Sequence, residues 1–385
     1  MKKIILTTIL CSAVLITAGC TKTNDVTSAD KSNISSNVEI NASANNVPQY
    51  IKVNADYYAN GVIFGNETAT FLDFDTMEKV PLCAVPNCVH NNADCLSRIV
   101  GNVPVIYNDN IYYFSAKSDI NETTDGRHFF IDSKLMKASL DSSETEIVSE
   151  FTDCVPVELD GYLLDGNELY FTGDNMNPQE DEYGNINYSS TGGIHYLCSI
   201  NLDTGKYTNY GNIYDGDKEY DAASRSSSAH IVGYYNKKMY IQYSFLKEDT
   251  VIDPAYADVD LREQFTILNF EFDLNTKELI ESQLPPPSYM DENSYVYYDM
   301  KKKQSIVLSG KETYTIDCDA NLNARIFNGK LFVPYERKWY DLSDKSEHSM
   351  GKYEDYDVIA YYNNCYILLN GGKTIKLTEE ELSAL

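Results

Sequence analysis

The sequence has 385 residues and a formal net charge of −27, from 58 acidic and 31 basic side chains. A chain with this charge is repelled by nucleic acid and by anionic lipid headgroups, which excludes nucleic acid as an expected partner. It contains 32 tyrosines and a single tryptophan. Because tyrosine in short apolar runs favours β-strands, the composition predicts an all-β protein.

The N-terminus has the features of an export signal. Lys2 and Lys3 give a positive start, and residues 4–18 carry no charge. The apolar run is too short to span a bilayer as a helix and is typical of a signal peptide. The small residues before Cys20 resemble the lipobox of bacterial lipoproteins, although Thr17 stands where leucine is usual. An ordinary secretory signal with an incidental cysteine is the alternative.

These features divide the chain into three segments. We predict a signal peptide over residues 1–19, a lipidated Cys20 that begins a disordered tether over 20–47, and a folded domain over 48–385. Residues 21–47 are rich in Ser, Asn, Thr and Ala and contain no aromatic residue. Such a segment buries too little apolar surface to offset the entropy of ordering it. The expected location is the outer face of the cell membrane, with lipid as the anchor.

A repeat runs through the domain. An apolar strand end meets a short turn of Asn, Asp, Gly or Lys, and a second apolar strand leaves it, which predicts a tight β-hairpin. Copies lie at 57–64, 106–113, 163–171, 234–241, 326–333 and 361–367, with a weaker copy at 297–308. A second hairpin signal follows most copies, at 71–76, 140–143, 200–206 and 270–276.

Two hairpins per unit give four strands per unit, which predicts a β-propeller of four-stranded blades. The copies predict seven blades. Six blades is the alternative, because Ser305 and Leu331 lie close together for separate blades. A pair of β-sandwiches would also show short strands and turns. The last unit lacks strands after Lys373, and we expect residues 50–53 to supply the missing strand and close the ring.

One connection contains a cluster of metal-ligating residue types. Cys83, Cys88, His90 and Cys95 fall within thirteen residues, and three thiolates with one imidazole match the ligand set of a closed structural zinc site. A disulfide is the competing interpretation, because an exported protein meets oxidising surroundings. Among the other cysteines, Cys198, Cys318 and Cys365 fall in predicted strands, where we expect them to be buried and inert.

The lipobox, the tyrosine-rich blades and this cluster together resemble a group of uncharacterised, TolB-like β-propeller lipoproteins of Gram-positive anaerobes. The resemblance covers most of the chain. It implies an exported propeller and an anaerobic habitat, in which thiolates outside the cell are less exposed to oxidation. It implies no activity, because the function of that group is itself unknown.

The long connections fall on one face of the predicted propeller, at 116–128, 173–192 and 246–264 between hairpins and at 83–102 and 209–229 between blades. In repeat proteins such a face often binds the ligand. Several of these connections are acidic, and the candidate binding residues are Asp174, Glu180, Asp181, Glu182, Asp215 and Asp217. Calcium is less favoured than a solvated acidic loop, because Tyr220 occupies the position at which an EF-hand requires glycine.

Catalytic motifs are not evident. The sequence contains no G-x-S-x-G, H-E-x-x-H or phosphate-binding loop, and we expect His195 to pack within a strand. No catalytic residue is assigned. We expect a binding or protein-interaction module for a protein, peptide or glycan. The alternative is a carbohydrate-active hydrolase or lyase with carboxylates at the propeller channel.

The anchor can be tested at one atom. Cys20→Ser removes the sulfur that would carry the lipid, so we expect the variant to appear in the medium or to persist as uncleaved precursor. Cys11→Ser, within the apolar run, is the matched control and should leave membrane fractionation unchanged. Mass spectrometry of the mature N-terminus reads out the lipid. Unaltered membrane association of C20S, with no lipid mass on the native chain, would contradict the lipoprotein assignment.

Overall fold

The computed structural model describes residues 3–5, 39–41, 48–51, 56–65, 68–83, 85, 88–91, 95–100, 104–118, 130–139, 144–156, 161–180, 186–214, 227–246, 265–320 and 324–385. These residues are almost entirely β-strand and turn. Within them, no helix has the length and apolar character needed to cross a membrane.

Three short strands precede the repeated units. β1 (Lys3–Ile5) and β2 (Glu39–Asn41) pair antiparallel in a two-stranded sheet of their own. They fall in the segments that the sequence assigns to the signal peptide and the tether. β3 (Gln49–Ile51) follows and joins a sheet of the ring.

The first three blades are antiparallel sheets whose strands follow one another in sequence order, apart from β12, which pairs with β14. A four-residue helix, α1 (Leu96–Ile99), lies between the first and second blades. The strands are β4 (Asp56–Tyr58), β5 (Gly61–Phe64), β6 (Thr70–Asp73) and β7 (Lys79–Pro81); β8 (Val105–Tyr107), β9 (Asn110–Ser118), β10 (Phe130–Ser139) and β11 (Thr145–Phe151); and β12 (Cys154–Pro156), β13 (Tyr162–Asp165), β14 (Glu168–Glu180), β15 (Ile186–Asn201) and β16 (Tyr207–Asn212).

Four further blades complete a seven-bladed β-propeller, as the sequence predicts. The last has three strands and ends in helix α2 (Glu379–Ser383). The strands are β17 (Ser227–Tyr235), β18 (Lys238–Leu246), β19 (Phe265–Asp273) and β20 (Leu279–Glu281); β21 (Tyr289–Met290), β22 (Ser294–Asp299), β23 (Gln304–Ser309) and β24 (Glu312–Ile316); β25 (Arg325–Phe327), β26 (Lys330–Val333), β27 (Lys338–Asp341) and β28 (Glu347–Ser349); and β29 (Asp357–Tyr362), β30 (Cys365–Asn370) and β31 (Lys373–Thr378).

Turn chemistry explains why the hairpins repeat. The inner hairpins turn through two residues of positive φ, 47° and 64° at residues 108–109 and 48° and 59° at 363–364, and asparagine tolerates this type I′ geometry. Outer hairpins begin with a residue whose side-chain oxygen accepts backbone N–H groups two and three residues later. For Asp73 those bonds are 2.8 and 2.7 Å, and for Asp273 they are 2.8 and 3.1 Å. Such Asx turns fix the strand register locally.

The inner hairpin of the fifth blade is not where the sequence predicts it. Its inner hairpin joins β21 to β22 through a turn at residues 291–293, whereas the weak copy at 297–308 spans the next hairpin, β22 to β23. The close spacing of Ser305 and Leu331 came from this shift of one strand. The reason is the length of β21, which has only two residues and therefore no alternation to read. With the shift corrected, the seven-bladed count is confirmed over six.

The core is divided into wedges between neighbouring blades. Seven clusters of buried side chains occur among the described residues, one at each junction of the ring. Tyr170 and Phe171, adjacent in β14, point into different wedges and are both fully buried. This alternation follows from the strand period of two, and it means that a blade buries both of its faces.

The N-terminal strand does not close the ring, so that expectation is wrong. β3 pairs with β13 along the inner edge of the third blade, with Tyr50 opposite Leu163. The Tyr50 hydroxyl donates to the Ile231 carbonyl at 3.0 Å. Gly161 makes the space for this strand, because a Cβ there would lie 2.4 Å from a carbon of the Tyr50 ring. β3 therefore lies inside the channel rather than at the outer edge of the seventh blade.

Closure depends on side chains instead. The first and seventh blades share an apolar cluster that includes Leu72, Phe74 and Ile367, and the Tyr362 hydroxyl donates to the Asp75 carboxylate at 2.9 Å. Among the described strands, no backbone ladder joins these two blades. Helix α2 covers the end of the seventh blade, where its buried Leu382 packs between the last two blades.

Candidate functional site

The Cys/His cluster forms at the connection between the first and second blades. Cys83 follows β7, Cys95 immediately precedes α1, and Cys88 and His90 lie in the turn between them. The four ligand atoms all lie within 4.8 Å of one another. The Cys95 Sγ atom is 3.6 Å from Cys88 Sγ and 3.5 Å from His90 Nδ1. The structure thus brings together all four residues that the sequence singled out.

Local backbone geometry produces this convergence. The Cys88 amide donates to the Val85 carbonyl at 3.2 Å, which closes a turn, and His90 adopts a left-handed φ of 56°. The α1 residue Ser97 accepts a hydrogen bond from the Ala69 amide at 2.6 Å, which ties the helix to the first blade. Cys83 and Cys95 are buried, whereas Cys88 and His90 are half-buried.

The thiols of the cluster differ in acidity. Burial raises the pKa of Cys83 to about 12, and hydrogen bonds with Cys95 and Cys88 add to the rise. Burial also opposes ionisation of Cys95, but hydrogen bonds from Ser97, His90 and Cys88 outweigh it and lower the Cys95 pKa to about 6. Cys95 therefore ionises more readily than Cys83.

A second pair of cysteines contrasts with the cluster. Cys154 and Cys198 are both fully buried, with their sulfur atoms 3.8 Å apart, and both contact the Tyr207 hydroxyl. Burial raises the pKa of Cys198 strongly. This thiol therefore stays protonated, as the inert role expected for Cys198 requires. No disulfide joins any two of the cysteines that the structure describes.

A hydrogen-bonded chain of three side chains, which sequence reasoning missed, crosses from the third blade to the fourth. His195 Nδ1 lies 2.6 Å from Asp174 Oδ1, and His195 Nε2 lies 3.0 Å from Ser227 Oγ. The order of atoms is that of a serine hydrolase triad. The Ser227 hydroxyl, however, is shared with Tyr243, whose ring packs edge-on against His195. Because His195 is buried and the Ser227 hydroxyl is engaged by Tyr243, we assign this chain a structural role.

The acidic candidates are not a loop cluster in the described part of the chain. The segment at 173–192 was expected to be a loop, but β14 and β15 extend through most of it as a hairpin arm. Asp174 lies in β14 and bonds to His195. Glu180 ends β14, and its side chain is outside the described residues, as are Asp181, Glu182, Asp215 and Asp217. The residues from Asp174 to Glu180 include Asn, Pro and Glu, which are rare in strands, so their propensity did not predict this extension of the ladder.

The channel contains a cavity of about 710 Å³. Its wall comes from the inner strands of the first, fourth, fifth, sixth and seventh blades and from β3. Nine of the lining residues are aromatic, so the wall consists mainly of ring faces and edges. The aromatic residues are Tyr50, Tyr57, Tyr58, Phe74, Tyr234, Tyr289, Phe327, Tyr361 and Tyr362.

The cavity lies near the face of the short turns. Ala59, Tyr234, Asp291, Phe327 and Tyr362 all line it and all lie in or beside the turn of an inner hairpin. The long connections, and the Cys/His cluster with them, lie toward the opposite face. Sequence reasoning could not locate this cavity, because its wall is assembled from five blades that are distant in the chain.

Among the described residues, three with charged side chains line the cavity. Asp291 accepts from the Tyr289 hydroxyl at 2.9 Å and from the backbone of Asn293 and Ser294 at 2.9 and 2.7 Å. Burial raises the pKa of Asp291, against the effect of these hydrogen bonds. Glu292 is adjacent to Asp291 in the same turn. The carboxylates of the described wall therefore do not face each other across the channel, as a paired-acid glycosidase site requires.

The third charge is Arg325, in β25. Its guanidinium carbon lies 6.0 Å from the centre of the Tyr289 ring, at the limit of a cation–π contact. It also donates to the Ala324 carbonyl at 3.0 Å. Tyr289 therefore contacts both Arg325, through its ring, and Asp291, through its hydroxyl, and holds the two charged side chains on one side of the cavity.

Comparison with known proteins gives likeness of architecture only. No family model matches, and no curated protein matches. Similar solved structures include the dipeptidyl peptidase 4 of Porphyromonas gingivalis, with 9% identity and a TM-score of 0.40. The match covers 86% of this chain and 53% of that one, so this chain spans about half the length of that peptidase.

Two other solved structures are similar over most of their length. The β-propeller domain of the Trilobed protease from Pyrococcus furiosus has 10% identity and a TM-score of 0.37, with 87% of this chain and 91% of that one covered. An ulvan lyase, from a polysaccharide lyase family, has 9% identity and a TM-score of 0.37, with 90% and 98% covered. These identities and TM-scores are too low to establish the number of blades, which is taken instead from the strand pairing described above.

The structural role of the three-residue chain has a measurable consequence. His195→Ala leaves the Asp174 carboxylate and the Ser227 hydroxyl without their partner, so we expect a loss of about 1–3 kcal/mol in the free energy of unfolding. Urea denaturation followed by circular dichroism measures it. Ser227→Ala, which removes only the terminal hydroxyl, should cost less. If a fluorophosphonate probe labelled Ser227 in the native protein but not in H195A, these three side chains would instead form a nucleophilic site.

Proposed function

We propose that this propeller is a binding module, anchored by lipid at Cys20 to the outer face of the cell membrane, that takes its ligand in the channel cavity. One observation carries the proposal, namely the aromatic cavity of about 710 Å³ assembled from five blades and β3. Ligand pockets in proteins have volumes of roughly 300–1,000 Å³ and are mostly apolar with a few placed polar groups. The cavity matches both criteria.

The chemistry of the wall favours a peptide. β3 is an extended peptide segment that already lies along the channel by strand pairing with β13, and strand addition is a general mode of peptide recognition. Tyrosine rings accept apolar and cationic side chains. The described wall has two carboxylates and one guanidinium, in a chain of net charge −27. This balance favours a neutral or basic ligand over an acidic one.

β3 enters the channel at the end near the short turns. β3 runs antiparallel to β13, so Gln49 lies opposite Leu164, near the short turns, and Ile51 lies opposite Tyr162, farther from them. The described chain therefore enters the channel at Pro48, close to the short turns. A ligand held there would be bound close to the point where the tether meets the domain.

The test is a binding screen with cavity variants. We expect tagged basic and aromatic peptides to bind the full chain, and Tyr234→Ala to weaken the affinity of the best peptide at least about tenfold, a loss of about 1.4 kcal/mol. Glu292→Gln, at the exposed rim, should weaken basic peptides more than neutral ones. Isothermal titration calorimetry measures the affinities, and thermal unfolding confirms that each variant is folded.

The control variant is Tyr335→Ala. Tyr335 is 77% exposed and does not line the cavity, so its removal should leave the affinity unchanged. Two outcomes would overturn the proposal. One is binding that Y234A and E292Q do not alter, and the other is selective binding from an array of neutral glycans with no peptide bound, which would move the assignment to the carbohydrate class.

A further inference from the structure

We propose that Cys83, Cys88, His90 and Cys95 bind one Zn²⁺ ion in a closed, structural site that fixes the connection between the first and second blades. The proposal is independent of the cavity, which lies near the other face. It starts from the convergence of four ligand atoms that the chain brings within 4.8 Å of one another.

The distances match a tetrahedral ion. Zinc–sulfur bonds of about 2.3 Å at tetrahedral angles place two sulfur ligands about 3.8 Å apart, and shorter zinc–nitrogen bonds bring sulfur and nitrogen closer. Cys95 Sγ lies 3.6 Å from Cys88 Sγ and 3.5 Å from His90 Nδ1. A disulfide needs about 2.05 Å between its sulfur atoms. It would also leave the third cysteine and His90 without a role.

The ligand types select the metal and its role. Three thiolates and an imidazole are soft or borderline ligands, which favour zinc over calcium or magnesium. Four protein ligands complete the tetrahedral shell and leave no position for water or substrate. Such closed shells are characteristic of structural rather than catalytic zinc.

Supporting contacts surround the ligands. Ser97 Oγ lies 3.0 Å from Cys95 Sγ, where it can donate to a metal-bound thiolate, and outer-shell donors of this kind orient the ligands of metal sites. His90 takes a left-handed backbone conformation, with φ of 56°, that few residues with a side chain adopt. The conformation turns the chain so that the imidazole reaches Cys95. Ligation would offset its cost.

The site would act on the packing of the ring. Cys83 and Cys95 are members of the apolar wedge between the first two blades, together with Leu96 of α1. The segment between them makes few backbone hydrogen bonds among its described residues. A zinc ion bound to ligands at both ends and in the middle of this segment would therefore hold the apolar wedge closed and keep β7 and β8 in adjacent blades.

The experiment is elemental analysis of the full chain, extracted in detergent and purified without chelator, with the intact mass recorded in parallel. We expect one zinc per chain and no mass deficit. Cys88→Ser and His90→Ala should each reduce the zinc content well below one. Cys365→Ser, a half-buried cysteine outside the cluster, is the matched control and should retain the metal.

Two further measurements distinguish zinc binding by these side chains from simple packing of the same side chains. Ser97→Ala keeps all four ligands, and we expect it to weaken zinc affinity about 10–100-fold in a chelator competition. Chelation should lower the melting temperature of the native chain but not of H90A. Two results would overturn the proposal. One is a mass deficit of two hydrogens within residues 83–95 with no metal present, and the other is a fully reduced cluster that takes up no added zinc.

Discussion

The structure depends on one constraint, which is that every blade must bury both faces of its sheet. A four-stranded sheet with apolar residues on both faces cannot be stable alone, and only a neighbour on each side removes those faces from water. The seven apolar wedges satisfy this requirement around the ring. The same constraint applies at the junction of the seventh and first blades, where side chains such as Phe74 and Ile367 pack together and no described strands pair.

The ring separates two chemistries onto opposite faces. Short inner turns allow the aromatic residues at the ends of the inner strands to meet around the channel, which produces the cavity. The connections between blades run on the other face, where sequence length is tolerated, and the Cys/His cluster occupies the first of them. The channel cavity and the Cys/His cluster on the opposite face are therefore separate consequences of one topology.

Local chemistry could be predicted from the sequence, whereas distant pairing could not. Turn residues such as those at 108–109 predicted the hairpins, and the spacing from Cys83 to Cys95 predicted a site whose members are near in the chain. The contact of His195 with Asp174 and Ser227 joins residues 21 and 32 positions away, and no local pattern indicates it. The two-residue strand β21 was too short to recognise, and the destination of β3 was decided by the space at Gly161.

β3 lies in the channel along β13, and its Tyr50 ring packs against Gly161. A double-mutant cycle of Gly161→Ala and Tyr50→Ala tests this claim most directly, with unfolding free energies from urea denaturation. A Cβ at residue 161 would overlap the Tyr50 ring, so Gly161→Ala should cost about 1–3 kcal/mol in the native background. With Tyr50 replaced by alanine, the same change should cost less than about 0.5 kcal/mol. Equal costs in both backgrounds would show that Tyr50 does not lie against Gly161 and would contradict the account.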